Sequence, residues 1–250
     1  TGNIDEKVRH SITKLSDYHF VSTNGAKERV IKLGENPKYV FNTGCPSLDL
    51  ARNIGDLNFN PYEKYGGVGK KPCYNDGYLV VMQHPVTNEF SESRNQITKT
   101  LKAIQKLNIP TFWFWPNIDA GSDGTSGAIR SFREKNKMDN VHFFKNMEPT
   151  DFLILLKNSI CLIGNSSVAI RECSYLGVSV VNIGSRQFRR ERAENVIDVG
   201  YDSNDIVSAV IKSKSQNPKS SEIYGDGKSG EIIAKLLASV NLISHKTITY

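Results

Sequence analysis

The densest group of residues suited to chemistry is Gly164-Asn165-Ser166-Ser167, placed after the apolar run Ile160–Ile163 and before a helical pattern. Such a turn offers free backbone N–H groups, the positive end of a helix dipole and two hydroxyls, which together suit phosphate oxygens. A plain serine N-cap needs one serine and no glycine. Glu172 lies further along the same helical pattern, where its carboxylate could accept from ribose hydroxyls; alone it would be a surface glutamate. Arg186, in Gly184-Ser185-Arg186-Gln187, follows the apolar run Val178–Asn182, and a guanidinium at that edge can fork onto a diphosphate. Arg189, Arg190 and Arg192 alternate with Glu191 and Glu194 and read as a solvated helical face.

His84 closes the run Tyr78–Met82 in Gln83-His84-Pro85-Val86-Thr87. Proline restricts the chain directly after it, so the imidazole is held at a strand's carboxyl end, where a general acid or base belongs. A structural histidine satisfies the same pattern. Asn117, Asp119 and Ser122 occupy the equivalent loop after the next strand, either as sugar contacts or as a polar turn. Asp5 and Arg9 are four apart and read as an i,i+4 ion pair. Two motifs fail on inspection. Gly225-Asp226-Gly227-Lys228-Ser229 resembles the end of a phosphate-binding P-loop, but Glu222 stands where its first glycine should be, so it reads as a helix-entry turn. Phe112, Trp113, Phe114 and Trp115 could stack bases, yet one continuous apolar strand reads better as core.

The elements that must position these residues alternate between short apolar runs and helical patterns, which predicts an α/β fold with a parallel sheet. Ile4, Val8, Ile12 and Leu15 recur at helical spacing; His19–Ser22 and Tyr39–Asn42 read as strands around a helix Ala26–Leu33. Residues 53–76 show neither period and read as a linker. Then follow helix Arg94–Leu107, strand Thr111–Trp115, a glycine-rich loop Gly121–Gly127, helix Ala128–Asn136 and strand Val141–Phe144. Helix Thr150–Asn158, strand Ile160–Ile163, helix Ser167–Leu176 and strand Val178–Asn182 complete a doubly wound pattern. A polar loop Ser213–Ser221 precedes a last helix Gly230–Val240, and no internal repeat is present.

Composition narrows the function classes. The chain has 250 residues, 38% of them hydrophobic, enough for a sizeable core. No apolar run reaches the ~18 residues of a membrane span, so a soluble, cytoplasmic protein without a membrane partner is expected. Thirty-two basic against 26 acidic residues leave +6, which suits an anionic ligand and falls short of a nucleic-acid stripe. Cys45, Cys73, Cys161 and Cys173 lack paired spacing and read as buried free thiols rather than a disulfide frame or a metal site.

Taken together, Gln83-His84-Pro85-Val86-Thr87, Pro116-Asn117-Ile118-Asp119-Ala120-Gly121-Ser122, Gly164-Asn165-Ser166-Ser167, Val181-Asn182-Ile183-Gly184-Ser185-Arg186-Gln187 and Tyr224-Gly225-Asp226-Gly227 resemble the hydrolysing UDP-N-acetylglucosamine 2-epimerases. The likeness runs from Thr1 to about Val240 and includes Ile4–His10 and Ala193-Glu194-Asn195-Val196. It implies two Rossmann-like domains in the GT-B arrangement, with the sugar nucleotide between them. In those terms residues 1–50 match the end of a first domain, 51–77 a linker, 78–240 a whole nucleotide-binding domain and 241–250 a tail. The family's earlier segment, with further catalytic carboxylates, would precede Thr1, so this chain alone is expected to bind nucleotide without turnover.

The resemblance further implies chemistry in which the C2 proton is removed as UDP leaves C1, and water then adds to a glycal to release N-acetylmannosamine for sialic acid synthesis. It implies no metal and no redox cofactor. Asp5 and His84 match catalytic positions, Arg9 and Asn117 substrate contacts, Ser166, Ser167 and Arg186 the diphosphate site, and Glu172 the ribose site. The partners implied are a UDP-sugar substrate and, in the full-length protein, further copies in a homo-oligomeric dimer or tetramer. A GT-B glycosyltransferase would share the serine turn and the ribose glutamate, and remains the alternative.

Overall fold

The computed structural model describes residues 4–241 and 245–249, with the side chain of Ile4 excluded. Thr1–Asn3, where the likeness begins, and 242–244 and 250 of the expected tail lie outside the described residues. The chain opens with α1 (Ile4–Leu15) and β1 (His19–Val21). Next comes α2 (Asn24–Lys32), capped by Thr23, whose hydroxyl accepts from the Ala26 N–H at 3.0 Å. β2 (Val40–Asn42) pairs parallel to β1, His19 opposite Val40. Two short helices follow, α3 (Ser47–Arg52) and α4 (Pro61–Tyr65), then β3 (Val68–Gly69).

From here strands and helices alternate: β4 (Leu79–Met82), α5 (Ser93–Leu107), β5 (Thr111–Phe114), α6 (Ser122–Lys135), β6 (Val141–Phe144), α7 (Pro149–Lys157) and β7 (Cys161–Gly164). They continue as α8 (Glu172–Leu176), β8 (Val180–Ile183), β9 (Val196–Val199), α9 (Ser203–Lys214) and α10 (Ser229–Ser239). The seven-stranded sheet has the order β3-β6-β5-β4-β7-β8-β9, parallel throughout except for β3 against β6. Counting from β4, the parallel strands run 3-2-1-4-5-6, the doubly wound Rossmann order. After β6 the chain returns to place β7 beside β4, so the loops leaving those two strands diverge and open a crevice. The strand ends are in register there, Met82 opposite Gly164 and Gly164 opposite Asn182.

Alternate strand residues face opposite layers. Leu79, Val81 and Trp113 pack with Leu101, Ile129 and Val210 of α5, α6 and α9. Val80, Phe112 and Phe114 pack on the other face with Leu155, Leu156 and Cys173. Phe112, Trp113 and Phe114 are buried, so the aromatic strand is core, as its pattern indicated.

Several sequence expectations need correction. The expected linker 53–76 contains α4 and β3, and β3 extends the sheet edge; both are too short to show a period. The sequence reading assigned neither β9 nor α9, although α9 buries Ile206, Ala209, Val210 and Ser213 at helical spacing behind an Asp202 cap. Helix α6 begins at Ser122, inside the expected glycine-rich loop, after a left-handed Gly121 at its N-cap; Gly124 lets it meet α5, since a Cβ there would stand 2.6 Å from Ser93 Oγ. The segment 189–194 is not helical. Cys73 is exposed while Cys45, Cys161 and Cys173 are buried, all four as free thiols. Val8, Ile12 and Leu15 of α1 are exposed rather than packed. Gly225–Ser229 does enter a helix, as its spacing indicated. Among the described residues no helix is long and apolar enough to cross a membrane.

Candidate functional site

The site is built where β4 and β7 end side by side. Gly164 has φ 139° and its α-carbon lies against the Met82 carbonyl, so any side chain would collide with the neighbouring strand. Asn165 follows, fully buried, and its amide takes up the backbone of His84: Oδ1 accepts from the His84 N–H at 2.7 Å and Nδ2 donates to the His84 carbonyl at 2.9 Å. Ser166 caps a three-residue 3-10 turn, Ser167–Ala169, by accepting from the Val168 N–H. The expected continuous helix 167–176 is therefore broken, and α8 has only five residues. A strong helix dipole is absent here; what the turn offers an anion is local N–H groups, hydroxyls and the arginines around it.

His84 is buried, and its Nδ1 accepts from the Asn117 N–H at 3.1 Å. With Nδ1 occupied as an acceptor, the neutral ring carries its proton on Nε2 and can only donate there. Burial, followed by the nearby Arg186 charge, pushes the imidazole down to about 4, so it is neutral at physiological pH. Arg186 donates to the Asn165 carbonyl at 3.3 Å and pairs with Asp119 at 3.6 Å. Gln187 donates to the same carbonyl at 2.8 Å. Asn165 thus joins His84 to the arginine loop. Asn117 has an exposed side chain and contributes its backbone.

Glu172 is buried: Oε1 lies 3.5 Å from Arg171, and Oε2 is buried with no partner. Arg171 donates to Ser167 Oγ at 3.0 Å, which leaves that hydroxyl's own proton free to donate. It also approaches Cys45 Sγ at 3.6 Å, from the segment after β2. Arg171 is therefore the link between the serine turn and the opposite wall.

Between these walls is a cleft of about 630 Å³ whose lining includes Glu6, Arg9, Arg171, Arg190, Glu191 and Tyr224. His84, Ser166, Ser167, Glu172 and Arg186 are not in its lining; of these, Ser167 and Glu172 reach it through Arg171. Burial holds the Arg190 guanidinium below its usual range, and the charges of Arg9, Arg171 and Arg186 act in the same direction. Arg9, Arg171 and Arg190 line one space, with the charge of Arg186 acting on Arg190 from beyond the lining, and such a concentration of positive charge suits an anion. The expected Asp5–Arg9 pair is absent: Arg9 pairs with Glu6 at 3.3 Å, and Asp5 is exposed outside the cleft lining. Sequence reasoning missed Arg171, Arg190 and Glu191. For Arg171 the signal was adjacency to Glu172; for the other two a charge alternation concealed an irregular loop.

A family model described as UDP-N-acetylglucosamine 2-epimerase matches residues 1–238. A Legionella pneumophila protein named UDP-N,N'-diacetylbacillosamine 2-epimerase (hydrolyzing) is 33% identical, over 98% of this chain and 63% of its own length. The Escherichia coli polysialic acid biosynthesis protein P7 is 38% identical, over 83% of this chain and 52% of its own. The chain thus spans between about half and two-thirds of these curated relatives. Among solved structures, the Neisseria meningitidis UDP-GlcNAc 2-epimerase bound to UDP-GlcNAc superposes with TM-score 0.71 and 18% identity, covering 91% of this chain and 63% of that one. The shared fold is the α/β, GT-B type, with a doubly wound parallel sheet.

Proposed function

The chain belongs to the UDP-N-acetylglucosamine 2-epimerase family, and on that premise we propose that it forms the nucleotide-binding part of a hydrolysing epimerase acting on a UDP-linked N-acetylamino sugar. The carrying observation is the convergence of His84, the 164–167 turn and Arg186 at the point where the strand order reverses, beside a cleft ringed by arginines. In this reading Ser166, Ser167, Arg171, Arg186 and Arg190 hold the diphosphate. Glu172 accepts from the ribose through its unpartnered oxygen, and Asn117 borders the sugar.

The reaction proposed for the whole protein is elimination followed by hydration. The C2–H bond breaks to a base, its electron pair forms the C1–C2 double bond, and UDP leaves with the C1–O pair. Water then adds across the glycal, hydroxyl to C1 and proton to C2, to give free N-acetylmannosamine. Neutral His84, with its proton on Nε2, supports this as a hydrogen-bond donor to the leaving diphosphate rather than as the base. The proton acceptor is then a carboxylate: α1 turns Glu6 into the cleft lining beside Arg9, while Asp5, next to it in sequence, stands outside that lining.

The name of the E. coli relative supports a place in sialic acid synthesis, and that of the Legionella relative a different UDP-sugar. The soluble cytoplasmic setting and a homo-oligomeric whole protein belong to the same proposal. The deciding experiment incubates the full-length protein with UDP-N-acetylglucosamine, its GDP counterpart and UDP-N,N'-diacetylbacillosamine, and identifies the released sugar. Free N-acetylmannosamine and UDP without an acceptor are expected. Sugar release only onto an added acceptor would establish a glycosyltransferase instead.

A further inference from the structure

Glu191 stands on the loop after β8, yet its carboxylate reaches the opposite wall. Oε1 accepts from the Gly25 N–H at 3.3 Å, and Oε2 accepts from the Thr23 hydroxyl and from Arg29 at 3.2 Å. Thr23 and Gly25 are the N-terminal groups of α2, a helix with no acidic residue in its own first turn, and Arg29 lies in its last turn. Glu191 supplies that charge from 166 residues away. Gly25 fits this contact: its φ is not in the left-handed range, so its backbone does not require glycine, but a Cβ would stand 2.7 Å from Glu191 Oε1. The main chain of Glu191 is held as well. Its carbonyl accepts from the Tyr224 hydroxyl at 2.7 Å, and the Tyr224 carbonyl accepts from the Cys45 N–H at 2.7 Å.

Next to this anchor, Arg190 lines the cleft together with Arg9 and Arg171, and Arg189 holds a left-handed φ of 61°. Both features oppose the observed loop conformation, because like charges repel and a non-glycine residue is strained at positive φ. We propose that Glu191 is a positioning residue: by clasping the N-terminus of α2 across the cleft, it holds its loop so that Arg190 faces the nucleotide's diphosphate. This rests on the nucleotide-binding reading of the cleft given above.

The test measures UDP affinity by calorimetry on the chain and on the variants Glu191→Ala, Gly25→Ala, Glu191→Gln, Arg190→Ala and the double Glu191→Ala/Arg190→Ala, with thermal midpoints as the folding check. Glu191→Ala and Gly25→Ala should each weaken UDP by about tenfold, the size of one charge-assisted hydrogen bond. Glu191→Gln should lose less affinity than Glu191→Ala, since its amide oxygen can still accept from Gly25 while its NH2 can no longer accept from Arg29. The double variant should bind no more weakly than Arg190→Ala alone, because a residue that acts only through Arg190 has nothing further to lose. Wild-type affinity in both Glu191→Ala and Gly25→Ala, or full additivity in the double variant, overturns the proposal. If Arg190→Ala itself binds UDP like wild type, the nucleotide reading of the cleft is wrong, and the clasp loses its role with it.

Discussion

The amide of Asn165 pairs with the backbone of His84 at both its donor and its acceptor, 2.7 and 2.9 Å, and so continues the β4–β7 ladder one step past the last strand pair, Met82 with Gly164. A side chain replaces backbone where the two strands diverge. His84 is thereby fixed to the same residue whose carbonyl receives Arg186 and Gln187.

Asn165→Asp should destabilise the chain by about 2–4 kcal/mol, because a carboxylate oxygen would face the His84 carbonyl where a donor stood. Urea unfolding measures this directly. An unchanged midpoint would mean that the pairing contributes nothing.

Gly164→Ala should cost more than about 3 kcal/mol or prevent folding, since its positive φ and its contact with the Met82 carbonyl both exclude a side chain. The midpoint of thermal unfolding is the readout, and a variant as stable as wild type would refute the close approach.

Arg186→Ala should weaken UDP binding by roughly 1.5–3 kcal/mol, the range of a hydrogen bond to a charged group. Calorimetry on the chain decides it: unchanged affinity removes Arg186 from the diphosphate site.

His84 yields a pH prediction with a defined sign. Its folded value of about 4 lies below the ordinary 6.5, so between those pH values the unfolded chain takes up a proton that the native chain refuses. Stability must fall as pH drops from about 6.5 toward 4, by up to roughly 3 kcal/mol from this group. His84→Asn should show a shallower fall over the same window in denaturant titrations. Equal slopes would show that the imidazole is not held neutral. Turnover of the full-length protein should drop by about 10²–10³-fold in His84→Ala, the loss expected for one stabilising hydrogen-bond donor.

Glu35 predicts a separate acid limit. Burial alone would raise its carboxyl, but hydrogen bonds from Lys246, Lys14 and His19 outweigh burial and lower it to about 2. Its contribution is full above about 4.5 and is lost as pH falls through 2. Glu35→Gln should cost about 1–3 kcal/mol at neutral pH, because buried His19 and the part-exposed Lys14 and Lys246 lose their shared counter-charge, the lysines' share being reduced by solvent screening. Chemical denaturation at pH 7 would expose a smaller effect.

Local pattern determined much of this protein. Apolar runs of four or five residues separated by helical spacings identified β4 through β8, because a strand buried on both faces must be apolar at every position. The same pattern located Gly164–Ser167, His84 and Arg186 at strand ends, and the placement holds. Tertiary structure alone decided what those residues touch. Asn165 was visible as part of a motif, but not as the group that pairs with His84, since that contact spans 81 residues. Arg190 and Glu191 looked like one face of a helix, because alternating charges carry the same local signature whether or not the backbone is helical. Their roles arise from a loop drawn between two walls, and the sum of charges contributed by Arg9, Arg171 and Arg186 exists only once those walls are assembled. Asp5 and Glu6 are adjacent in sequence, and only the rotation of α1 against the cleft selects Glu6 for its lining.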